Sequence, residues 1–282
     1  MNTHDFVDWH SHIWLPEHLG PEWGREIDGH YTHVPSEHGT PEEHRAAMLA
    51  GGVSHSVVIA LTSRHFALDV PNEFVADYVS SHSGLVGIAS VDPNDPSAVA
   101  RLRYAITDLG LRGVKLAPPY QDFHPHSDAA YAVYRAADEL GAVVIFHQGA
   151  VSHRRGVLDN AQPVLLDRVA RDFPELRIII AHMGQPWPHE VVPLLRKHPN
   201  VFADLSARCA RPWQLQSILL AALDYGVQDK LLFGSDFPTF DPAEHVRALL
   251  SVNQAGQGRA VPEDVLDGIA HHRPLSLLGL DT

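Results

Sequence analysis

Short apolar runs of strand length recur along the chain, each followed by a longer stretch with helical periodicity. Eight are present: Phe6 to Trp14, Val53 to Leu61, Leu85 to Val91, Leu111 to Ala117, Ala142 to Gln148, Leu176 to Met183, Val201 to Ser206 and Lys230 to Pro238. Helical signals lie between them. Pro41-Glu42-Glu43 after Thr40 and Pro96 after Asp95 have the composition of capped helix starts, and Ser127-Asp128 opens a run to Leu140 that Gly141 ends. Strand and helix alternating in this way predict parallel βα units, and eight of them close naturally into a (β/α)8 TIM barrel. An open doubly wound sheet is the main alternative. It predicts a Gly-x-Gly-x-x-Gly loop after a strand, and none is present: Gly84, Gly87 and Gly113 are isolated. Between the first two runs, Leu15 to Thr40 is rich in Pro, Gly and His and too long for an ordinary connection, so we read it as a loop or lid over an active site.

Composition narrows the class. The 282 residues suit one α/β barrel domain over 1–282, and 45% hydrophobic with 20% charged residues is ordinary for a folded globular chain. A net charge of −13 repels phosphate backbones and anionic headgroups, so nucleic acid and membrane are poor partners and a small molecule is the expected one. No run approaches the roughly 18 apolar residues of a membrane span. The N-terminal residues lack a signal-peptide pattern, and the lone Cys209 has no internal disulfide partner, which makes the cytoplasm the default compartment. Histidine is abundant at 21, whereas the lysines are Lys115, Lys197 and Lys230 alone.

The candidate chemistry sits where the strands end. Side chains alternate along a strand, so Asp8, His10 and His12 are expected on one face of the first, with Val7, Trp9, Ser11 and Ile13 on the other. Spacing alone proves little: in so histidine-rich a chain chance gives about one or two His-x-His pairs, and His124 and His126 form a second. Position distinguishes the first pair, because barrels of this type place their sites at the C-terminal ends of the strands. By the same alternation Val143, Ile145 and His147 are expected inward on the fifth strand, Ile178, Ile180 and His182 on the sixth, and Leu232, Gly234 and Asp236 on the eighth. His10, His12, His147, His182 and Asp236 then converge on one mouth, and buried imidazoles beside a carboxylate call for a cation or hydrogen-bond partners.

Asp8-Trp9-His10-Ser11-His12, Gly113-Val114-Lys115-Leu116, Phe146-His147-Gln148-Gly149, Ala181-His182-Met183-Gly184-Gln185-Pro186-Trp187 and Phe233-Gly234-Ser235-Asp236-Phe237-Pro238 resemble, in that order, the motifs of the amidohydrolase superfamily. The nearest branch is the amidohydrolase-2 group, which includes aminocarboxymuconate-semialdehyde decarboxylase and relatives that hydrolyse rings and esters. The resemblance implies a divalent metal, zinc before manganese or iron, held by His10, His12, His147 and Asp236. It implies His182 as an acid/base or substrate-orienting residue and Asp236 as the group that moves the proton of an activated water. Lys115 is expected at the end of the fourth strand, facing inward. In binuclear members a lysine in a similar setting is carboxylated, and Lys115, His147 and His182 would then hold a second ion. One ion is the favoured expectation, with Lys115 pairing with Asp236 or with a substrate carboxylate.

Arg154 and Arg155 after the fifth strand and Arg208 and Arg211 after the seventh are candidate clamps for a substrate carboxylate, and Trp14 and Trp187 are candidate pocket walls. His18, His30, His33 and His38 are expected to be solvated or lid residues, and Cys209 an inert thiol. The branch commonly has an asparagine near the C-terminus where this chain has Arg273, after His271-His272 and before Pro274. Two activities fit this pattern: hydrolysis of a small organic acid, amide, ester or lactone, and nonoxidative decarboxylation of a small unsaturated or aromatic acid. An iron-dependent oxygenase and a non-catalytic metal-binding barrel are further alternatives, and a homodimer is the default assembly.

Overall fold

Eight parallel strands follow one another around a single sheet in chain order: β1 (Phe6–His12), β2 (Val53–Ile59), β3 (Leu85–Ser90), β4 (Gly113–Leu116), β5 (Val143–Phe146), β6 (Ile178–Ile180), β7 (Val201–Asp204) and β8 (Leu231–Leu232). The computed structural model describes residues 5–21, 23, 38–255, 258–271 and 279. Each strand begins inside one of the eight apolar runs. The sheet closes on itself after β8, where Trp9 N–H donates to Phe233 O at 2.9 Å, Asp236 N–H to His10 O at 2.7 Å and His12 N–H to Phe237 O at 2.7 Å. Helices occupy the crossovers, among them Pro41–Ala50, Asp128–Glu139 and Pro212–Tyr225. This is a (β/α)8 barrel.

Local chemistry explains several helix ends. Thr40 accepts from Glu43 N–H while the Glu43 carboxylate reaches back to the Thr40 N–H, a reciprocal cap. Ser127 accepts from Ala130 N–H and opens Asp128–Glu139. The expected start at Pro96 is displaced: residues 93–97 form turns, and the helix runs Ala98–Thr107. A two-stranded antiparallel ribbon, Thr62–Ser63 with Leu68–Asp69, follows β2 and has no counterpart in the sequence reading. Most of the stretch from Leu15 to Thr40, including His30 and His33, lies outside the described residues, as does Arg273.

Two apolar layers surround the strands. Val7, Trp9, Val57, Ile59, Val86, Ile88, Val143, Ile145, Ile179, Ala181 and Leu232 form one cluster, which side chains from six strands of a closed sheet can share only inside the barrel. Phe6, Val114, Leu116, Val144, Phe146, Ile178, Ile180, Phe233 and the helix faces form the outer layer.

This division corrects two of the expected phases. On β6 it is Ile179 that faces inward, with Ile178 and Ile180 outward, so strand alternation is not what delivers His182 to the mouth. The backbone does so by turning left-handed immediately afterwards, at His182 (φ 55°), Met183 (φ 50°) and Gly184 (φ 61°). On β1, Val7 and Trp9 face inward, so Asp8 does not share a face with His10. Asp8 pairs with Ser56 and Ser11 with Val58, leaving one extra residue on β1, and this bulge shifts the phase so that His10 and His12 point in after Trp9. The Asp8 carboxylate instead fastens β1 to the segment after β8, accepting from Ser235 N–H at 2.9 Å and Ser235 Oγ–H at 2.6 Å. On β4, β5 and β8 the expected phases hold.

Candidate active site

A cavity of about 430 Å³ opens beyond the C-terminal ends of the strands, its wall including His12, Lys115, His147, His182, Asp236 and Arg208. His10 is wholly buried and touches His12, Lys115, His182 and Asp236. Its Nε2 lies 3.2 Å from His12 Nε2, 3.2 Å from Lys115 Nζ and 3.6 Å from Asp236 Oδ1, and His12 Nε2 lies 3.7 Å from the same oxygen. Donor atoms of His10, His182 and Asp236 fall within 4.8 Å of one another. The His147 ring packs 4.8 Å from that of His182.

Hydrogen bonds behind the rings fix which nitrogen each presents. His10 Nδ1 is 2.8 Å from Asp204 Oδ2, and His12 Nδ1 is 2.8 Å from Ile59 O. Both partners accept, so in the neutral rings both Nδ1 atoms carry the proton and both Nε2 atoms present bare lone pairs. His147 Nε2 is buried with no partner among the described residues. Lys115 supplies one cation against His10, but the remaining lone pairs and the Asp236 carboxylate are left facing one another. Imidazole nitrogens gathered with a carboxylate oxygen in this way fit a divalent cation, with the unpartnered His147 Nε2 a further candidate ligand.

Burial dominates the protonation of the cluster. It holds His12 and His147 down to about 3, with Lys115 adding to the effect. His10 and His182 lie well below the ordinary imidazole value, again chiefly through burial. Burial pushes Asp236 up to about 7 against the pull of Lys115, and brings Lys115 down to about 8 against the pull of Asp204 and Asp236. The Cys209 thiol is buried and pushed up to about 12, as expected of an inert thiol.

Among the proposed clamps, Arg208 and Arg211 line the cavity, whereas Arg154 and Arg155 are exposed and lie outside its wall, with Arg155 over the Phe66 ring at 5.6 Å. Arg208 is only 3% exposed. Its Nη1 reaches Gln214 Oε1 at 3.3 Å, its Nε has no partner, and no carboxylate among the described residues lies within ion-pair distance. Trp14 lines the cavity and Trp187 does not. Trp23 and Tyr120, which sequence reasoning did not single out, also form its wall.

Asp204 and Ser206 were missed as well. Asp204 is the polar residue that closes β7, as His147 is the one that follows β5, but it lies inside its apolar run, with Leu205 after it. Its Oδ2 holds His10 and its Oδ1 accepts from His182 N–H at 3.0 Å.

A (β/α)8 barrel with a histidine and carboxylate cluster at the C-terminal ends of its strands has the architecture of an amidohydrolase-type enzyme. The amidohydrolase family model matches residues 7–280, and the chain belongs to that family, whose enzymes work with a divalent metal. It is an enzyme of that type. No curated protein matches it in sequence. Among solved structures, an uncharacterised TIM-barrel protein from Bordetella bronchiseptica superposes with a TM-score of 0.77 at 21% identity, covering 95% of each chain. A probable 2-pyrone-4,6-dicarboxylic acid hydrolase from Acinetobacter baumannii, with citric acid bound, gives 0.70 at 16% identity, covering 98% of this chain and 99% of that one. A 5-carboxyvanillate decarboxylase from Novosphingobium aromaticivorans, complexed with manganese and 4-hydroxy-3-methoxy-5-nitrobenzoic acid, gives 0.70 at 14% identity, covering 98% and 96%. At such identities the likeness is one of fold.

Proposed function

We propose that this chain is a metal-dependent hydrolase of a small organic acid bearing an amide, ester or lactone bond. The observation that carries the reading is the convergence of the bare Nε2 atoms of His10 and His12 on the Asp236 carboxylate, with the unpartnered, buried Nε2 of His147 among the groups of the same site. Those four residues would hold one divalent ion, zinc or manganese. When bound, such an ion polarises a carbonyl and makes water a nucleophile near neutral pH.

The chain's own residues supply the rest. Asp236 takes a proton from the attacking water and returns it to the leaving group, as its position facing both His10 and His12 in the cavity allows. His182 Nε2 orients the substrate at the cavity floor. Arg208, buried and short of partners, pairs with a substrate carboxylate, with Arg211 beside it, because a guanidinium fork matches a carboxylate. Trp14, Trp23 and Tyr120 exclude water and flank a flat substrate.

The same buried Arg208 favours a second reading, nonoxidative decarboxylation of an unsaturated or aromatic acid, which also requires its substrate's carboxylate to be held. Incubating a panel of lactones, amides and aromatic acids with metal-loaded enzyme in 18O-labelled water separates the two. Label in a ring-opened or cleaved product means hydrolysis. Release of carbon dioxide from a carboxyl-labelled acid, with no 18O in the organic product, means decarboxylation. Protein that neither contains nor takes up a divalent metal overturns both.

A further inference from the structure

The Asp204 side chain bonds to both the His10 and the His182 segments, one oxygen to each. Oδ2 accepts from His10 Nδ1–H at 2.8 Å. Oδ1 accepts from the backbone N–H of His182 at 3.0 Å, from that of Ser206 at 3.1 Å, and from the Ser206 hydroxyl. With its proton committed to Asp204, Ser206 Oγ is left as an acceptor, and it lies 2.7 Å from His182 Nδ1. The Ser206 carbonyl, which can only accept, is 3.3 Å from the same nitrogen. Two acceptors therefore face His182 Nδ1.

We infer that Asp204 and Ser206 are positioning residues that keep the His182 proton on Nδ1 and so turn a bare Nε2 toward the substrate. His182 then meets the reacting group as a hydrogen-bond acceptor and base, in the same sense as His10. The arrangement also secures the backbone. His182, Met183 and Ala207 all adopt left-handed conformations that side chains disfavour, and the bonds from Asp204 to the His182 and Ser206 amides tie down the turns after β6 and β7 that contain them. Outer partners of this kind commonly set the tautomer and orientation of a metal-site imidazole.

The inference rests on the proposed function only for the ion; the tautomer is a property of the chain and is read without metal. The experiment uses metal-free protein labelled with 15N at histidine, with the His182 signals identified by their loss in His182→Gln. In wild type the His182 shifts report an Nδ1–H tautomer. In Ser206→Ala they move toward a mixture, in Ser206→Thr, which keeps the hydroxyl, they stay, and zinc affinity of Ser206→Ala remains within about twofold of wild type because the Asp204 to His10 bond is intact. Asp204→Asn, which removes the charge and puts an NH2 donor where one of the two accepting oxygens stood, lowers zinc affinity by about 10- to 100-fold. Unchanged His182 shifts in folded Ser206→Ala, or an Nε2–H tautomer in wild type, overturns the inference. A wild type that binds neither zinc nor manganese but shows the tautomer change in Ser206→Ala refutes the metal reading and leaves this one standing.

Discussion

His10 Nε2 and His12 Nε2 face each other at 3.2 Å, each ring held from behind by an acceptor on its Nδ1. Two lone pairs in that position repel unless a proton or a cation lies between them. Burial opposes protonation of either ring, so the geometry favours a metal over a proton.

The first prediction follows directly. Protein purified without added metal or chelator will contain close to one zinc or manganese per chain by elemental analysis, and His10→Ala combined with His12→Ala will contain none. The variant will stay folded, because the two apolar layers that build the barrel do not include either ring. Full metal content in the double variant would show that the ligands lie elsewhere. A content near two, with Lys115 heavier by one carboxyl group in the intact mass, would replace the single-ion site by a bridged pair.

Arg208 and Arg154 make a matched comparison, since both follow a strand in sequence and only one reaches the cavity. Charge-assisted hydrogen bonds contribute about 1.5–3 kcal/mol, so Arg208→Gln should raise KM for an acidic substrate by about 10- to 100-fold. A neutral ester of the same substrate should be affected far less, and Arg154→Gln should change neither. Equal losses on the acid and its ester would remove Arg208 from carboxylate recognition.

Acid stability should depend on a histidine away from the ion cluster. His44 is buried between Tyr78 OH at 2.8 Å and Ser11 Oγ at 2.9 Å, and burial holds it down to about 3. Its folded value lies below its unfolded one, so its neutral form stabilises the fold fully above pH 6.5. That contribution is lost as pH falls from 6.5 toward 3, by up to about 1.4 kcal/mol per pH unit. Urea unfolding of wild type and His44→Gln at a series of pH values checks this. The variant is less stable near neutrality, and the gap between the two should close between pH 6.5 and 4. A gap independent of pH would mean that His44 is not buried neutral.

How these sites could be read from the sequence differs from one strand to the next. The eight apolar runs mark all eight strands because a parallel strand covered on both faces is continuously hydrophobic, and the polar residue ending a run is conspicuous. His147 and Asp236 were found with the right phase for that reason. His10 and His12 point in as expected, but Asp8 was wrongly grouped with them and Val7 and Trp9 wrongly placed on the other face, since a bulge is a one-residue change in pairing that leaves no mark in composition. His182 reaches the mouth through left-handed backbone at His182 and Met183, where glycine would be the usual signal and only Gly184 supplies it. Asp204 is less conspicuous, because it lies inside its apolar run with Leu205 after it. Its role as a shared acceptor for His10 and His182 depends on a contact across 194 residues of sequence that no local pattern encodes.

Gly234 shows how closely the second and outer rows of the site are packed. A Cβ placed there would lie 2.9 Å from His10 Cβ and 2.9 Å from Ser206 Cβ, and neither atom can swing away, because each is the root of its side chain. Gly234→Ala must therefore displace His10, Ser206 or β8 itself. Overpacking of this sort costs about 1–3 kcal/mol, and here the displaced groups are a proposed ligand and the hydroxyl facing His182. Gly268 is the control: it lies inside the helix Glu263–Ala270, and a Cβ there meets nothing within 4 Å. Gly268→Ala should be neutral or stabilise the protein by about 0.5–1 kcal/mol, as alanine does in a helix interior, with metal content unchanged. Gly234→Ala should lower both the melting temperature and the zinc affinity, the latter by at least about tenfold if His10 moves off its Asp204 bond. If Gly234→Ala loses stability but binds zinc as wild type does, the strain is relieved on the Ser206 side, and the tautomer of His182 is then the property that should change.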